Sequence, residues 1–285
     1  MNINATTALY GIVGFPLDHT LSPNMHNTAF AATGRNCTYL PLKVAPRDLP
    51  AALVGLRAVG FNGFNVTIPH KETILGLLDE VAPLARRVGA VNTVVKREGR
   101  LWGYNTDVPG FLASLAEAGF SPAGKRVVLL GGGGAARAVL AAVAGAGVAT
   151  VAAVCRRPEQ GKEMLDLFAD LQVFPLEPAA VDESLAGAEL VVNATPVGMY
   201  PRAADSILRA EDFSRVAAGC LVADLVYNPL DTALLQAARA AGLGVLSGAG
   251  MLVHQGALAW KVWFGETGPV DIMGRELGRR LAANG

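Results

Sequence analysis

An excess of charge of either sign is absent from this chain, in which 24 basic residues meet 24 acidic ones. A balanced surface offers no general attraction to nucleic acid or to an anionic membrane, so any anion site has to be local. Cysteine is sparse too. Cys37, Cys155 and Cys220 are too few and too scattered for a disulfide framework or a zinc cluster, and they fit a reducing compartment where buried thiols act as small hydrophobes. His19, His26, His70 and His254 show no metal-ligand spacing and no acidic cluster joins them, so no metal is expected. No G-x-S-x-G nucleophile motif occurs. No uninterrupted apolar run reaches the roughly 18 residues of a membrane span. Residues 139–154 come near, but glycines break the run and Arg156 follows it closely. The opening segment lacks the basic-then-apolar order of a signal peptide. The expectation is a cytoplasmic protein with no nucleic-acid and no membrane partner; a homodimer is left open.

What the chain does contain is apolar material, 52% of its 285 residues, with aromatics at only 6%. Alanine, valine, leucine and glycine dominate, a balance suited to helices packed closely on parallel strands. Short β-rich runs at residues 10–15, 38–44, 63–66 and 90–96 alternate with helical spacing at 23–32, 49–59 and 71–78. A second series has strands at 126–130, 149–154, 189–193, 220–225 and 244–246, with a helix at 135–144. Strands separated by helices imply crossover connections and mostly parallel sheets. The fold class is α/β with two domains. The turn-rich segment Ser121-Pro122-Ala123-Gly124-Lys125 lies near their boundary, and the helix at 108–117 connects them. Residues 251–264 and 270–281 are helical with no strand after them, so they cap or brace the structure.

The strongest local signal is Val127-Val128-Leu129-Leu130-Gly131-Gly132-Gly133-Gly134-Ala135-Ala136-Arg137, a strand, then G-x-G-x-x-A, then a helix. Gly131 permits the sharp turn, Gly133 lets the backbone approach a diphosphate, and Ala136 keeps the helix close to the sheet. Amides at the helix start, from Gly132, Gly134 and Ala135 among others, then face the diphosphate. An NAD site would place Asp or Glu at the end of the next strand. Here that end reads Val154-Cys155-Arg156-Arg157, and two guanidiniums suit the 2′-phosphate of NADP instead.

Polar clusters punctuate the first hundred residues: Thr20-Leu21-Ser22-Pro23, then Phe64-Asn65-Val66-Thr67-Ile68-Pro69-His70-Lys71, then Gly89-Ala90-Val91-Asn92-Thr93, then Gly103-Tyr104-Asn105-Thr106-Asp107. Three of them fall at the ends of expected strands, where open α/β sheets bind ligands. Later come Asn193-Ala194-Thr195-Pro196-Val197-Gly198-Met199, Asp224-Leu225-Val226-Tyr227-Asn228-Pro229 and Gly248-Ala249-Gly250-Met251-Leu252-Val253-His254-Gln255. In this order and spacing, from Tyr10 to the final helix, the chain resembles the shikimate dehydrogenase family.

That resemblance implies a substrate-binding domain at residues 1–107, completed by 248–285, and a Rossmann-like NADP domain at 108–247. It implies NADPH-dependent reduction of 3-dehydroshikimate to shikimate, a step toward chorismate and the aromatic amino acids. Lys71 and Asp107 are the implied proton-transfer pair. Either can be drawn as the base, because burial and a neighbouring carboxylate push a lysine in opposite directions and the pair titrates jointly. The working assignment gives the proton to Lys71 and orientation to Asp107. Thr20 and Ser22, helped by Tyr227, would hold the substrate carboxylate, and Thr67, Asn92, Asp107 and Gln255 would read the ring hydroxyls. Gly131 to Ala135, Cys155, Arg156, Arg157, Leu225 and Gly248 would hold NADP.

The chain departs from the family pattern in two places. Thr20 stands where serine is common, and Cys155-Arg156-Arg157 replaces the usual Asn-Arg-Thr or Asn-Arg-Ser. The first adds a methyl group to the pocket; the second bears on adenine-ribose recognition. Two other readings are retained: a relative that uses NAD and accepts quinate, and a non-catalytic relative that senses shikimate or the cofactor. An Asp in place of Arg156 or Arg157 would favour the first. The presence of both Lys71 and Asp107 argues against the second.

Overall fold

The computed structural model describes residues 3–284, side chains to residue 283. Strand β1 (Ala8–Gly14) leads into helix α1 (Ser22–Ala32), which starts at a Ser-Pro step; the ring of Pro23 presets the first turn and lacks only an amide that a helix start leaves unpaired. Strand β2 (Cys37–Lys43), helix α2 (Leu49–Ala58), strand β3 (Gly63–Val66), the two-residue β4 (Glu80–Val81) and helix α3 (Pro83–Val88) follow. Strands β5 (Thr93–Arg97) and β6 (Arg100–Tyr104) form a hairpin, and helix α4 (Asp107–Glu117) comes next.

These strands form one sheet in the order β2-β1-β3-β5-β6-β4. Strands β2, β1 and β3 are parallel, whereas β5 runs antiparallel to both its neighbours. Sequence reading anticipates β5 but not β6. The connection is only Glu98-Gly99, both with positive φ (51° and 76°), a two-residue turn whose twist suits a hairpin. The helix expected over 71–78 is a five-residue 3-10 turn, Thr73–Leu77, and Lys71 precedes it. Adjacent β-branched Thr73 and Ile74, with Gly76 after them, give little support to a longer helix.

One face of this sheet packs Val13, Phe64, Val66, Val94 and Leu101 against Leu49, Leu53 and Leu56 of α2. Tyr10 joins a separate aromatic group with Phe30, Trp263 and Phe264. Burying each such side chain contributes roughly 1.5–3 kcal/mol.

The remaining strands are β7 (Arg126–Leu130), β8 (Thr150–Cys155), β9 (Gln172–Pro175), β10 (Leu190–Asn193), β11 (Leu221–Asp224) and β12 (Gly244–Ser247). Helices α5 (Gly134–Gly145), α6 (Pro158–Lys162), α7 (Pro178–Leu185) and α8 (Ala233–Ala240) intervene, and α9 (Gly248–Phe264) and α10 (Val270–Asn284) end the chain. All pairings in this second sheet are parallel, in the order β12-β11-β10-β7-β8-β9. That is the doubly wound arrangement whose strand order reverses between β7 and β10, where a crevice opens beyond the strand ends. Its core includes Val128, Leu130, Ala152, Val154, Val191 and Val222. Helix α5 is built largely of alanine, valine and leucine, which lets it lie close to the strands.

The chain divides into two compact units, residues up to Gly110 with Val253–Asn284, and Phe111–Leu252. Both divisions fall inside helices, α4 and α9. Among the described residues no helix is long and apolar enough to cross a membrane, and no group of three His, Cys, Asp or Glu is placed to hold a metal ion.

Candidate active site

In the first unit, sheet topology gathers the polar residues. Strands β1, β3 and β6 all end at the same edge of the sheet, and antiparallel β5 begins there. Thr20 and Ser22 follow β1, Thr67 and Lys71 follow β3, Asn92 precedes β5, and Asp107 follows β6. Backbone bonds tie these loops together. Phe15 donates to Ile68 O, Val91 N–H donates to Lys71 O at 2.8 Å, and Asn92 N–H donates to Tyr104 O at 3.1 Å.

The centre of the cluster is an ion pair. Lys71 Nζ lies 2.6 Å from Asp107 Oδ2, with the two side chains 16% and 5% exposed. Asn92 Nδ2 donates to Asp107 Oδ1 at 2.8 Å, to Thr106 Oγ1 at 2.9 Å and, at 3.3 Å, to Gln255 Oε1. Gln255 comes from α9, and α4 passes it so closely that a Cβ on Gly110 would stand 2.8 Å from the Gln255 Cβ. Glycine at 110 therefore lets these two helices bring Gln255 to Asn92. Asn105 Oδ1 accepts from Val108 N–H and caps α4, fixing Asp107 in its first turn.

Thr20 and Ser22 flank the start of α1, and Ser22 N–H donates to Thr20 Oγ1 at 3.4 Å. Pro23 has no amide to offer and Met25 N–H donates to Leu21 O at 3.1 Å, so of the first turn only the Asn24 amide is left beside the two hydroxyls. Ser22 is buried, while Thr20 and Thr67 are half-buried. His70 is turned away from the cluster, its Nε2 2.8 Å from Val44 O. Tyr227 belongs to the second unit, after β11.

In the second unit, the glycine loop leaves β7 at the point where strand order reverses. Gly131 has φ +118°, and a Cβ there would meet Thr195 Cγ2 at 3.0 Å, so only glycine turns the chain without strain. Nothing lies within 4 Å of a Cβ built on Gly133, which begins α5 with no side chain capping it. An open approach to uncapped amides at a helix start is what a diphosphate needs. Arg156 and Arg157 are exposed at the end of β8, and no acidic side chain pairs with either among the described residues. Cys155 is buried, and its Sγ donates to Gly131 O at 3.4 Å, bracing the loop from beneath; burial pushes its thiol pKa up. Leu225 follows β11. Gly248 approaches it so closely that a Cβ would stand 2.3 Å from Leu225 O. This donor set fits NADP: the Gly131 amide is held by Val154 O at 2.9 Å, which leaves the amides of residues 132–135 for the diphosphate and the two exposed guanidiniums for a 2′-phosphate.

Two groups of residues received no role from the sequence, although most of them lie within its polar blocks. Beneath the ion pair lie Tyr39, Asn65, Thr93 and Thr106, all buried and hydrogen-bonded to one another or to Asn92. Beneath the glycine loop, buried Asp224 accepts from Asn193 Nδ2, Val226 N–H and Thr232 Oγ1, while Asn193 Oδ1 holds Thr195. Burial raises the Asp224 pKa despite its three donors. The available signal was polar residues at strand positions otherwise apolar.

A doubly wound sheet with a glycine loop at its reversal point, in a chain that also carries a part-buried lysine–carboxylate pair, defines a nicotinamide-dependent oxidoreductase class. Residues 12–94 match the profile of the shikimate dehydrogenase substrate binding domain, and residues 248–277 that of the shikimate 5′-dehydrogenase C-terminal domain. A shikimate dehydrogenase (NADP(+)) of Moorella thermoacetica is 47% identical over 100% of this chain and 97% of its own length. One from Symbiobacterium thermophilum is 49% identical over 93% of this chain and 92% of its own. Among solved structures, shikimate 5-dehydrogenase from Thermus thermophilus in complex with NADP(H) and shikimate is 40% identical, with a TM-score of 0.85 covering 96% of this chain and 99% of that one. The chain belongs to the shikimate dehydrogenase family.

Proposed function

We propose that this protein is an NADP-dependent shikimate dehydrogenase, interconverting 3-dehydroshikimate and shikimate. The observation that carries the reading is the 2.6 Å contact of Lys71 with Asp107, joined to Asn92 and Gln255 at one sheet edge. Support comes from the 47% identity to a relative bearing that name along the full chain.

When bound, the reduced cofactor NADPH would supply hydride to the ketone, and the oxidised NADP+ would accept it from the alcohol carbon. Lys71 moves the proton at the substrate oxygen: it donates to the developing alkoxide during reduction and takes the hydroxyl proton in reverse. Asp107 keeps the ammonium in place through Oδ2, while Asn92 fixes the other oxygen. Ammonium carries three donors, so Lys71 can hold Asp107 and still reach a substrate oxygen. The hydroxyls of Thr20 and Ser22, at the positive end of α1, suit the substrate carboxylate. Thr67, Asn92 and Gln255 present neutral partners for ring hydroxyls, and an analogue lacking one would leave a buried polar group unpaired.

The test follows reduced-nicotinamide absorbance with shikimate or quinate, each offered with NADP or NAD. Shikimate with NADP is expected to give the highest kcat/KM. Turnover of quinate with NAD but not of shikimate with NADP would replace this reading with that of a quinate enzyme. No turnover in any combination, with shikimate still bound, would point to a sensor.

A further inference from the structure

A chain of buried hydrogen bonds runs under the ion pair, and its donors all point one way. Tyr39 donates its hydroxyl to Asn65 Oδ1 at 2.7 Å. Asn65 Nδ2 donates to Thr93 Oγ1 at 3.0 Å and to Asn92 O at 3.1 Å. Thr93 Oγ1, having accepted from Asn65, directs its one hydrogen to Asn92 Oδ1 at 3.1 Å, either directly or through Thr106 Oγ1, which lies at the same distance and reaches that oxygen at 3.2 Å. Asn92 Nδ2 then donates to Asp107 Oδ1 at 2.8 Å. Each of these residues is at most 5% exposed.

The orientation of the Asn92 amide decides what Asp107 meets. Thr106 N–H lies 2.7 Å from Asn92 Oδ1, and a backbone N–H can only donate, so the oxygen faces Thr106 and the NH2 faces the carboxylate. The Thr93 hydroxyl is the second group that holds Asn92 Oδ1, and the Thr106 hydroxyl, at 3.2 Å, the third. A turned amide would set one oxygen against another at Asp107. Thr93 is wholly buried, with no surface that a substrate could touch, so any influence on the reaction has to pass through Asn92.

We infer that Thr93 is a positioning residue for the reaction, a role that rests on the dehydrogenase reading above. Its hydroxyl, oriented by Asn65 and Tyr39, locks the Asn92 amide toward Asp107, and so fixes the carboxylate that holds Lys71. Hydrogen bonds aligned in sequence inside a poorly polarisable interior strengthen one another, and this series ends on the one carboxylate in the cluster. Loss of the Thr93 hydroxyl should loosen Asp107 and Lys71, which act on the transition state. The groups proposed for the substrate carboxylate, Thr20 and Ser22, and the ring-hydroxyl partners Thr67 and Gln255 should be left as they are, so the effect on substrate binding is confined to the one contact of Asn92.

The experiment compares Thr93→Val, which keeps the shape, with Thr93→Ser, which keeps the hydroxyl. Steady-state kinetics with shikimate at saturating NADP are read beside thermal unfolding of each protein. Thr93→Val is expected to lose about tenfold in kcat with shikimate KM within about threefold, the split that marks a contact made in the transition state. Thr93→Ser should keep kcat within about threefold of the parent. If Thr93 only packs, the order reverses, because serine lacks the methyl group; that reversal overturns the inference. So does a Thr93→Val enzyme with parental kcat, or one altered only in KM. Should Thr93→Val fail to fold, Tyr39→Phe decides: removing the first donor should lower kcat by about threefold without moving KM, and an unchanged kcat overturns the inference. A parent enzyme inactive on shikimate would defeat the functional reading, and this inference with it. An active parent with an equally active Thr93→Val variant would defeat this inference alone.

Discussion

Lys71 and Asp107 stand 36 residues apart in the chain and 2.6 Å apart in space. Lys71 lies in the loop after β3, and Asp107 opens helix α4. Lys71 is held by the backbone bond between its carbonyl and Val91 N–H, and Asp107 by the hairpin that ends in Asn105-Thr106 and by the cap on α4. The pair is thus a product of one loop and one helix start, both fixed to one sheet edge.

Replacement of Lys71 by methionine should lower kcat by about 10²–10⁴-fold, the range for losing a positioned acid–base group, with a small change in shikimate KM. Asp107→Asn keeps an acceptor for Asn92 but removes the countercharge of Lys71, and should also reduce kcat strongly. Because the residues act as a unit, the double variant should be little worse than the poorer single one. Initial-rate assays check this, and additive losses would show that the two act independently.

The glycine loop separates folding from binding. Gly133 has φ −93° and open space around it, so Gly133→Ala should leave the melting temperature unchanged while raising the KM for NADP about tenfold or more. Gly131, at φ +118° beside Thr195, should lose both cofactor affinity and stability on the same change. Melting curves without cofactor, paired with NADP titrations, distinguish the two outcomes.

Among the described residues no acidic side chain forms an ion pair with Arg156 or Arg157, both exposed, and their replacement by alanine should cost the fold little. The expected loss falls on NADP: its KM should rise by about tenfold or more, with NAD affected far less. Equal losses for both cofactors would place the guanidiniums elsewhere than on a 2′-phosphate.

His26 makes an acid-sensitive joint in the first unit. Trp260 Nε1–H donates to its Nδ1 at 3.0 Å, which requires that nitrogen to be unprotonated, and burial drives the ring pKa down to about 3. The unfolded chain takes up a proton near the ordinary value of 6.5 while the folded ring does not. This contribution to stability is therefore present above pH 6.5 and is lost as pH falls through the window toward 3, at roughly 1.4 kcal/mol per pH unit. Urea unfolding between pH 7 and pH 5 should show that slope in the parent and a shallower one in His26→Gln.

Much of the fold was readable in advance where local pattern and tertiary context agree. Strands β3 and β7 fall where their apolar runs place them, because both faces of each strand are covered. Strand β6 did not announce itself: it is short, contains Gly103, and is half-covered, and it exists because the Glu98-Gly99 turn folds it onto β5. Lys71, Asn92 and Asp107 stood out as polar residues at strand ends within recognisable blocks. Thr93 and Asn65 lie in the same blocks, but their roles were not legible, nor was that of Tyr39, since threonine, asparagine and tyrosine on a strand look ordinary until their partners across the sheet are known. Cys155 reads as a ligand-facing position at a strand end, yet its side chain points beneath the loop toward Gly131 O.

The aromatic group of the first unit sets an order of events during synthesis. Tyr10, His26 and Phe30 emerge early, but Trp260, Trp263 and Phe264, which pack on them, are translated only after the whole second unit. A nascent chain halted at residue 250 carries those early rings uncovered, together with an Asn92 that has yet to meet Gln255. The amino-terminal half thus depends on the ribosome finishing, and a fragment ending there should associate or be degraded rather than persist as a half-enzyme.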